Sequence, residues 1–195
     1  MKIFLDTADV DLIEQYYGTG LIDGVTTNPT LIKKSGYDPE EVYRKIALIG
    51  VDDISMEIVT DDSYEFLKEG RRLKEKFGEI TTIKVPCTPE GLKACKLLSK
   101  EGIRVNVTLI FSAAQAVLAS KAGAAYVSPF VGRVDDNSFD GLRLIEDIAN
   151  IYETQSRLYN FVDTEILSAS IRNVASVSKS FESVSYTHLT LPTTD

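Results

Sequence analysis

Residues 81–86 read TTIKVP, a short run in which β-branched side chains stand on both sides of one lysine. Such a run is typical of a strand, and a strand covered by helices normally carries apolar side chains throughout. Removing an ammonium group from water is costly unless the group is paired or loses its proton. Lys84 is therefore either an edge residue that reaches solvent or an amine with a chemical role.

Six other runs of the same kind precede and follow this one, and helical patterns separate them. The predicted strands are residues 3–6, 21–27, 54–58, 81–85, 104–110, 126–129 and 165–171. Helices are predicted from a cap at Thr7 or Asp9 to Tyr17, from Asp38 and Pro39, and over residues 61–78, 88–102, 112–123 and 142–152. A repeat of about 25 residues predicts an all-parallel sheet, either doubly wound or closed into a (β/α)8 barrel.

The polar residues decide between these two folds, because alternate side chains of a strand point to opposite faces. Each polar residue shares its direction with the residue two places before it in the pairs Phe4 and Asp6, Ser55 and Glu57, Thr82 and Lys84, Asn106 and Thr108, and Ser168 and Ser170. The opposite direction is apolar at residues 3, 5, 54, 56, 58, 83, 85, 105, 107 and 109. A doubly wound sheet would bury both faces. The pattern predicts a TIM barrel with a polar lumen and an apolar outer face.

A lysine in such a lumen can act as a nucleophile. In water only about one lysine in a few thousand is a free amine at pH 7, and burial between strands favours the neutral form. The free amine forms a Schiff base with a ketone or aldehyde, which lets an adjacent carbon–carbon bond break. Two other roles stay open for Lys84: a structural ion pair with Asp6 or Glu57, or phosphate binding.

Carboxylates are the available proton-transfer groups, since the single histidine is His188 near the C-terminus. Asp6 and Glu57 are the candidates, acting through a water molecule. Either could instead be a solvated strand end, and Asp6 could be a helix N-cap. Arg133 and Arg172 follow the sixth and seventh strands and could bind a phosphate at the same mouth, although surface ion pairs are the commoner role of arginine.

Composition narrows the classes of protein. The 195 residues are 44% hydrophobic and 26% charged, which is ordinary for one globular domain, and the net charge of −8 without a basic run argues against nucleic acid as a partner. Neither a membrane span nor a signal peptide is predicted, so a cytoplasmic protein is expected. Cys87 and Cys95 lack a metal-binding spacing and are interpreted as structural thiols. No metal or cofactor is expected.

Six segments together resemble the transaldolase family, in particular its short-chain branch. They are FLDTAD (4–9), GVTTNPTL (24–31), IKVPCTPEGLKA (83–94), NVTLIFSAAQA (106–116), YVSPFVGRVDD (126–136) and SASIRN (168–173). The resemblance covers residues 1–173 in the family's order. It implies a (β/α)8 barrel that moves a dihydroxyacetone unit between sugar phosphates, converting sedoheptulose 7-phosphate and glyceraldehyde 3-phosphate to erythrose 4-phosphate and fructose 6-phosphate in the pentose phosphate pathway.

The resemblance also implies residue roles. Lys84 matches the Schiff-base lysine, Asp6 the acid and base for the hydroxyl proton, and Glu57 the carboxylate that works through a water with Thr108. The matching substrate-binding positions are Asn28, Asn106 and Ser128 for the dihydroxyacetone hydroxyls and Arg133, Ser170 and Arg172 for the phosphate, with Phe130 at the same mouth.

The same branch contains fructose 6-phosphate aldolases, which release dihydroxyacetone. Those enzymes usually carry glutamine at the position of Glu57 and a tyrosine at that of Phe130. Glu57 and Phe130 match the residues that transaldolases carry at these two positions. The phenyl ring of Phe130 cannot donate a proton. An aldolase, or an inactive barrel that only binds sugar phosphates, remains an alternative. Homo-oligomers are expected for the intact family member.

The family pattern stops after Asn173. Residues 174–195 form an atypical segment in which only Val174, Val177 and Phe181 make an apolar stripe, and from about Val184 the sequence is interpreted as foreign to the barrel. The last β/α unit is therefore expected to be missing or replaced, with the LTLP run at residues 189–192 as a candidate eighth strand. A barrel without that strand would expose two strand edges.

Overall fold

A computed structural model describes residues 2–159, 163–183 and 187–192, and its strands form a closed parallel barrel in chain order. The strands are β1 (Lys2–Asp6), β2 (Gly24–Thr26), β3 (Asp53–Glu57), β4 (Thr81–Pro86), β5 (Arg104–Ile110), β6 (Tyr126–Pro129), β7 (Glu165–Ser168) and β8 (Thr187–Pro192). The helices are α1 (Val10–Tyr17), α2 (Pro29–Ser35), α3 (Pro39–Ile49), α4 (Ser63–Phe77), α5 (Pro89–Lys100), α6 (Ala113–Ala122), α7 (Val131–Asp136), α8 (Gly141–Tyr159) and α9 (Val174–Ser183). The predicted barrel is confirmed.

Side-chain caps set where the helices begin. Asp9, Asp38, Asp62, Thr88 and Ser112 each accept backbone N–H bonds at the start of α1, α3, α4, α5 and α6, respectively. These bonds satisfy N–H groups that have no partner inside the helix. The starts predicted at Asp9, Asp38, Thr88 and Ser112 are therefore confirmed, whereas the helix predicted from residue 61 is capped by Asp62.

Apolar packing divides into two parts. The outward side chains of the strands form one large cluster with the helices, while Phe4, Tyr126 and Leu167 form a small cluster of their own. The Phe4 and Tyr126 rings meet edge to face at 5.9 Å. A Cβ atom at Gly24 would lie 2.4 Å from the Phe4 ring, so only glycine leaves room for that ring.

Charged and phenolic groups lie at the amino ends of the strands. Arg104 Nη1 is 2.9 Å from Asp53 Oδ2, which also accepts a bond from the Tyr126 hydroxyl. Lys2 Nζ lies 3.1 Å from Glu165 Oε2 and 3.3 Å from the Tyr126 oxygen. This network and the Phe4 cluster occupy the amino-terminal half of the barrel.

Several predicted elements need correction. The second and seventh strands are shorter than predicted, and the short helices α2 and α7 occupy stretches that the sequence pattern leaves as loops. Helix α2 has only seven residues and α7 only six, so neither shows a sustained 3.6-residue period. Residues 133–137 are largely charged and polar and show no sustained helical period, so their sequence is typical of a loop.

Two predicted side-chain directions are also wrong. Leu109 lines the inner cavity instead of the helix-facing side, because β5 carries a bulge. On β7 the inner residues are Leu167 and Ala169, so the phase through Ser168 and Ser170 is reversed. Ser170 still lines the cavity, where its backbone has a φ of 58°.

The eighth strand position is filled from the atypical segment. The backbone of β8 pairs with β1 on one side and with β7 on the other, so the two expected open edges are paired. Helix α9 forms despite its serine content, with Val177 and Phe181 packed against the main core. The foreign origin of the segment from about Val184 stays a prediction, and residues 184–186 and 193–195 lie outside the described part of the chain.

Candidate active site

A cavity of about 480 Å³ opens at the carboxyl ends of the strands, the usual site of chemistry in this fold. Its walls come from most strands and from the loops that follow them. The lining residues are Asp6, Thr26, Asn28, Pro29, Thr30, Leu31, Glu57, Lys84, Thr108, Leu109, Ser128, Phe130, Arg133, Ala169 and Ser170.

Lys84 is the buried cation of this cavity, with only 6% of its surface exposed. Its Nζ atom lies 3.0 Å from Glu57 Oε2 and donates a hydrogen bond of 2.9 Å to the Thr27 carbonyl. Glu57 and Lys84 are register partners on β3 and β4, so the pair follows from the sheet itself. The interpretation of Lys84 as a solvent-reaching edge residue is wrong.

Asp6 faces the same cavity from β1. Its Oδ1 atom accepts a bond of 2.8 Å from the Thr26 hydroxyl on β2. Asp9, and not Asp6, caps helix α1. The N-cap alternative for Asp6 is therefore wrong, and its carboxylate is held at the cavity wall.

A chain of buried hydrogen bonds supports the floor of the cavity. The Ser128 hydroxyl donates to Asn106 Oδ1 at 2.8 Å, and Asn106 Nδ2 donates to Ser55 Oγ at 3.2 Å. Asn106 is fully buried and does not line the cavity, whereas Ser128 does. The sequence motifs do not indicate Ser55 as a site residue, although its phase on β3 is that of Glu57.

Thr108 presents a hydroxyl group to the cavity. The residue is buried, and its Oγ1 atom has no hydrogen-bond partner among the residues that the structure describes. A buried polar group without a partner is unfavourable unless water or a ligand satisfies it. This hydroxyl is therefore available to a molecule bound in the cavity that Lys84 also lines.

Asn28 begins helix α2 at the cavity edge. Its Oδ1 atom accepts a bond of 3.0 Å from the Leu31 backbone, so the amide group can offer its N–H donors to a ligand. Pro29, Thr30 and Leu31 line the cavity beside it. The sequence pattern does not place these three residues in the cavity, because the seven-residue helix α2 is too short to show a helical period.

Arg133 is the exposed cation that lines the cavity. Its guanidinium group lies 4.9 Å from the centroid of the Phe130 ring, which in turn packs edge to face against Phe111 at 5.8 Å. A guanidinium group stacked on a ring keeps its N–H donors free at the edge. Phe130 and Phe111 thus hold a cation at the mouth.

Arg172 lies outside the cavity lining. It forms a two-point ion pair with Asp136, in which Nη2 is 2.6 Å from Oδ2, and the pair holds the pKa of the Asp136 carboxyl below its usual range. A Cβ atom at Gly132 would be 2.7 Å from Arg172 Nε, so the arginine lies against the start of α7. The phosphate role of Arg172 stays a prediction.

Metal-ligating side chains do not cluster in the part of the chain that the structure describes. Those residues contain no group of three or more histidine, cysteine, aspartate or glutamate side chains that could hold a metal ion. None of the helices among them is long and apolar enough to cross a membrane.

A closed parallel barrel that gathers a lysine, two carboxylates and hydroxyl groups at its carboxyl end defines a (β/α)8-barrel enzyme site. A sequence model of the transaldolase/fructose-6-phosphate aldolase family matches residues 3–194. The chain belongs to this family, and the names of the family and of its relatives support a transferase or aldolase-type enzyme.

Relatives from bacteria and archaea carry the name probable transaldolase. The protein of Ruegeria pomeroyi is 53% identical over 174 residues, which are 89% of this chain and 77% of the relative. That of Nitrosopumilus maritimus is 50% identical over 89% of this chain and 76% of its own length. The protein of Methanococcus vannielii is 50% identical over 92% and 81%, respectively.

A solved structure supports the fold alone. The crystal structure of dihydrodipicolinate synthase from Rhodopseudomonas palustris aligns with a TM-score of 0.64 at 10% identity. The alignment covers 97% of this chain and 69% of that protein.

Proposed function

We propose that this protein is a transaldolase that moves a dihydroxyacetone unit between sugar phosphates through a Schiff base on Lys84. One observation carries the proposal: a buried lysine amine lies 3.0 Å from the Glu57 carboxylate inside the cavity. A carboxylate at that distance can take the proton that the amine must lose before it attacks a carbonyl carbon.

The reaction begins with that proton transfer. The Lys84 amine adds to the ketone carbon of fructose 6-phosphate, and the carbinolamine loses water to give an iminium. A base then removes the proton from the hydroxyl at C4, the C3–C4 bond breaks, and its electron pair moves toward the iminium nitrogen. Glyceraldehyde 3-phosphate leaves, and the remaining enamine adds to the aldehyde carbon of erythrose 4-phosphate. Reversal of the first steps releases sedoheptulose 7-phosphate and restores the lysine.

The remaining side chains divide these tasks. Asp6 is the base for the hydroxyl proton, held in place by the Thr26 hydroxyl. Glu57 and the Thr108 hydroxyl bind the water that enters and leaves at the carbinolamine. Asn28, Ser128 and, behind it, Asn106 bind the dihydroxyacetone hydroxyl groups.

Phosphate recognition falls to the mouth of the cavity. Arg133 supplies a guanidinium group that the Phe130 ring holds over the opening, and Ser170 adds a hydroxyl and backbone groups nearby. Arg172 contributes to phosphate binding once Asp136 shares its guanidinium group with the phosphate or releases it. Arginine suits this task because its planar donors match the oxygen atoms of a phosphate.

Two alternatives differ in their products. A fructose 6-phosphate aldolase of the same branch would release dihydroxyacetone without an acceptor, but Phe130 has no hydroxyl group to move a proton. A barrel that only binds sugar phosphates would give no product. Glu57 beside Lys84 favours the transaldolase.

The test supplies the purified chain with fructose 6-phosphate and erythrose 4-phosphate and identifies the products by mass spectrometry. Sedoheptulose 7-phosphate and glyceraldehyde 3-phosphate support the transaldolase. Dihydroxyacetone formed at the same rate with and without erythrose 4-phosphate supports the aldolase. Binding of fructose 6-phosphate without any product supports the inactive barrel. A place in the pentose phosphate pathway, a cytoplasmic setting and homo-oligomers are further parts of the proposal.

A further inference from the structure

Strand β5 contains one extra residue where it enters the cavity. Asn106 and Val107 pair with Tyr126 and Val127 on β6, but the next partners are Ile110 and Pro129. Three steps along β5 therefore oppose two steps along β6. Such a bulge changes the side-chain direction of the strand beyond it.

Leu109 takes up this extra step with a φ of 58°, in the left-handed region that branched apolar residues rarely adopt. The other two non-glycine residues with positive φ in the described ranges, Ser138 and Ser170, are serines. Backbone strain of this kind persists only where surrounding contacts hold it, and it is concentrated at functional sites. The Thr108 and Ile110 carbonyls accept bonds from Cys87 and Phe130 on either side of Leu109.

The bulge gives the cavity two consecutive side chains from one strand. A regular strand would turn Leu109 outward with Val107 and turn Ile110 inward with Thr108. In this structure Ile110 lies in the helix-facing core with Val107, whereas Leu109 lines the cavity beside the Thr108 hydroxyl. The strained backbone thus turns an apolar side chain into the cavity, whereas a regular strand would direct it outward.

We propose that Leu109 is a specificity-determining residue that keeps water from the covalent intermediate and so favours transfer over hydrolysis. The proposal rests on the proposed function. After the first aldose leaves, Lys84 carries a dihydroxyacetone enamine that must wait for an acceptor aldehyde. An apolar wall beside the polar groups that bind water limits the water that reaches this intermediate.

Hydrolysis is the competing step that Leu109 suppresses. The enamine carbon takes up a proton to give the iminium, water adds to the iminium carbon, and a proton leaves. The C–N bond of the resulting carbinolamine then breaks, which frees the Lys84 amine and releases dihydroxyacetone. One water molecule is consumed in total, and no oxidant or cofactor is needed.

The test measures the ratio of free dihydroxyacetone to sedoheptulose 7-phosphate at a fixed concentration of erythrose 4-phosphate. Leu109→Gly and Leu109→Asn remove the apolar side chain while accepting the left-handed backbone. Leu109→Met is the matched control, because it keeps an apolar side chain of similar size on the same backbone. Thermal melts of all three variants test whether each is folded.

We expect the ratio to rise about fivefold or more in Leu109→Gly and Leu109→Asn and to change less than about twofold in Leu109→Met. An unchanged ratio in the first two, or an equal rise in Leu109→Met, would overturn the proposal. Borohydride trapping on Lys84 in the unchanged chain separates this failure from a failure of the proposed function, since the adduct forms whether or not Leu109 excludes water.

Discussion

The Nζ atom of Lys84 lies 3.0 Å from Oε2 of Glu57, and the two residues are direct neighbours on strands β4 and β3. The barrel therefore brings an amine and a carboxylate together through strand register alone. In the proposed mechanism this pair serves two purposes: it stabilises a buried charge in the resting protein, and it provides the acceptor through which the amine becomes a nucleophile.

Glu57→Gln tests the second of these purposes. Glutamine keeps the shape of the side chain but cannot take the proton from Lys84, so kcat for transfer should fall about 10²- to 10⁴-fold with a smaller change in KM. Glu65→Gln, an equal charge change at an exposed position of α4, is the control and should leave kcat unchanged. A Glu57→Gln variant with normal kcat would remove Glu57 from the mechanism.

Arg133→Ala tests how the cavity recognises phosphate. Loss of the guanidinium group beside Phe130 should raise KM for fructose 6-phosphate about 10- to 100-fold, the usual effect of losing a charged hydrogen bond. Unphosphorylated fructose should be affected little. Arg143→Ala on the surface of α8 is the control.

Arg172→Ala tests whether Arg172 contributes less to phosphate binding than Arg133 does. Because Arg172 is paired with Asp136 outside the cavity lining, we expect a smaller rise in KM than for Arg133→Ala. Steady-state measurements with fructose 6-phosphate compare the two variants directly. A larger effect at Arg172 would mean that its ion pair opens fully when phosphate binds.

Gly24→Ala tests the packing inside the barrel. The new methyl group would lie 2.4 Å from the Phe4 ring and 2.8 Å from the Asp53 carbonyl oxygen, so the free energy of unfolding should fall by about 2 kcal/mol. Urea denaturation measures the change. In a Phe4→Leu background the ring contact is absent, and the same substitution should cost less. Equal costs in both backgrounds would show that the ring does not limit this position.

The buried carboxyl of Asp53 leads us to expect that the free energy of unfolding depends on pH. Burial raises the pKa of its carboxyl above the ordinary value, although Arg104 opposes the shift. The folded state therefore holds this proton to higher pH than the unfolded state does. This group's contribution to the free energy of unfolding falls as pH rises from the unfolded pKa of about 3.9 through the folded one.

Asp53→Asn removes that titration. The variant's free energy of unfolding, taken relative to the unchanged chain, should increase as pH rises across this window. Urea denaturation at a series of pH values measures the difference. A difference that stays flat or decreases would show that Arg104 outweighs the burial of Asp53.

Much of the barrel and its site could be predicted from the period-two pattern of the strands. Lys84, Asp6 and Glu57 come together because each lies at the inner phase near the end of a regular strand, and Thr108 keeps that phase at the start of the β5 bulge. The pattern carries this information because alternate residues of every barrel strand point to the interior.

The rest depends on departures from regular structure. A bulge turns Leu109 inward, and no residue in the stretch is a glycine that would signal it. Helix α2 is too short to show a helical period, so the sequence pattern does not indicate that it contributes to the cavity. The partner of Arg172 depends on how α7 packs against the loop after β7, which is a tertiary relationship without a local sequence signal.

The proposed function requires a covalent intermediate on Lys84, and borohydride trapping with fructose 6-phosphate detects it. Trypsin cannot cleave after a reduced lysine adduct, so we expect a modified peptide spanning residues 77–93, with no cleavage after Lys84. Lys84→Met should give no adduct. Normal cleavage after Lys84 in the trapped protein, or an adduct on another lysine, would show that Lys84 does not carry the intermediate.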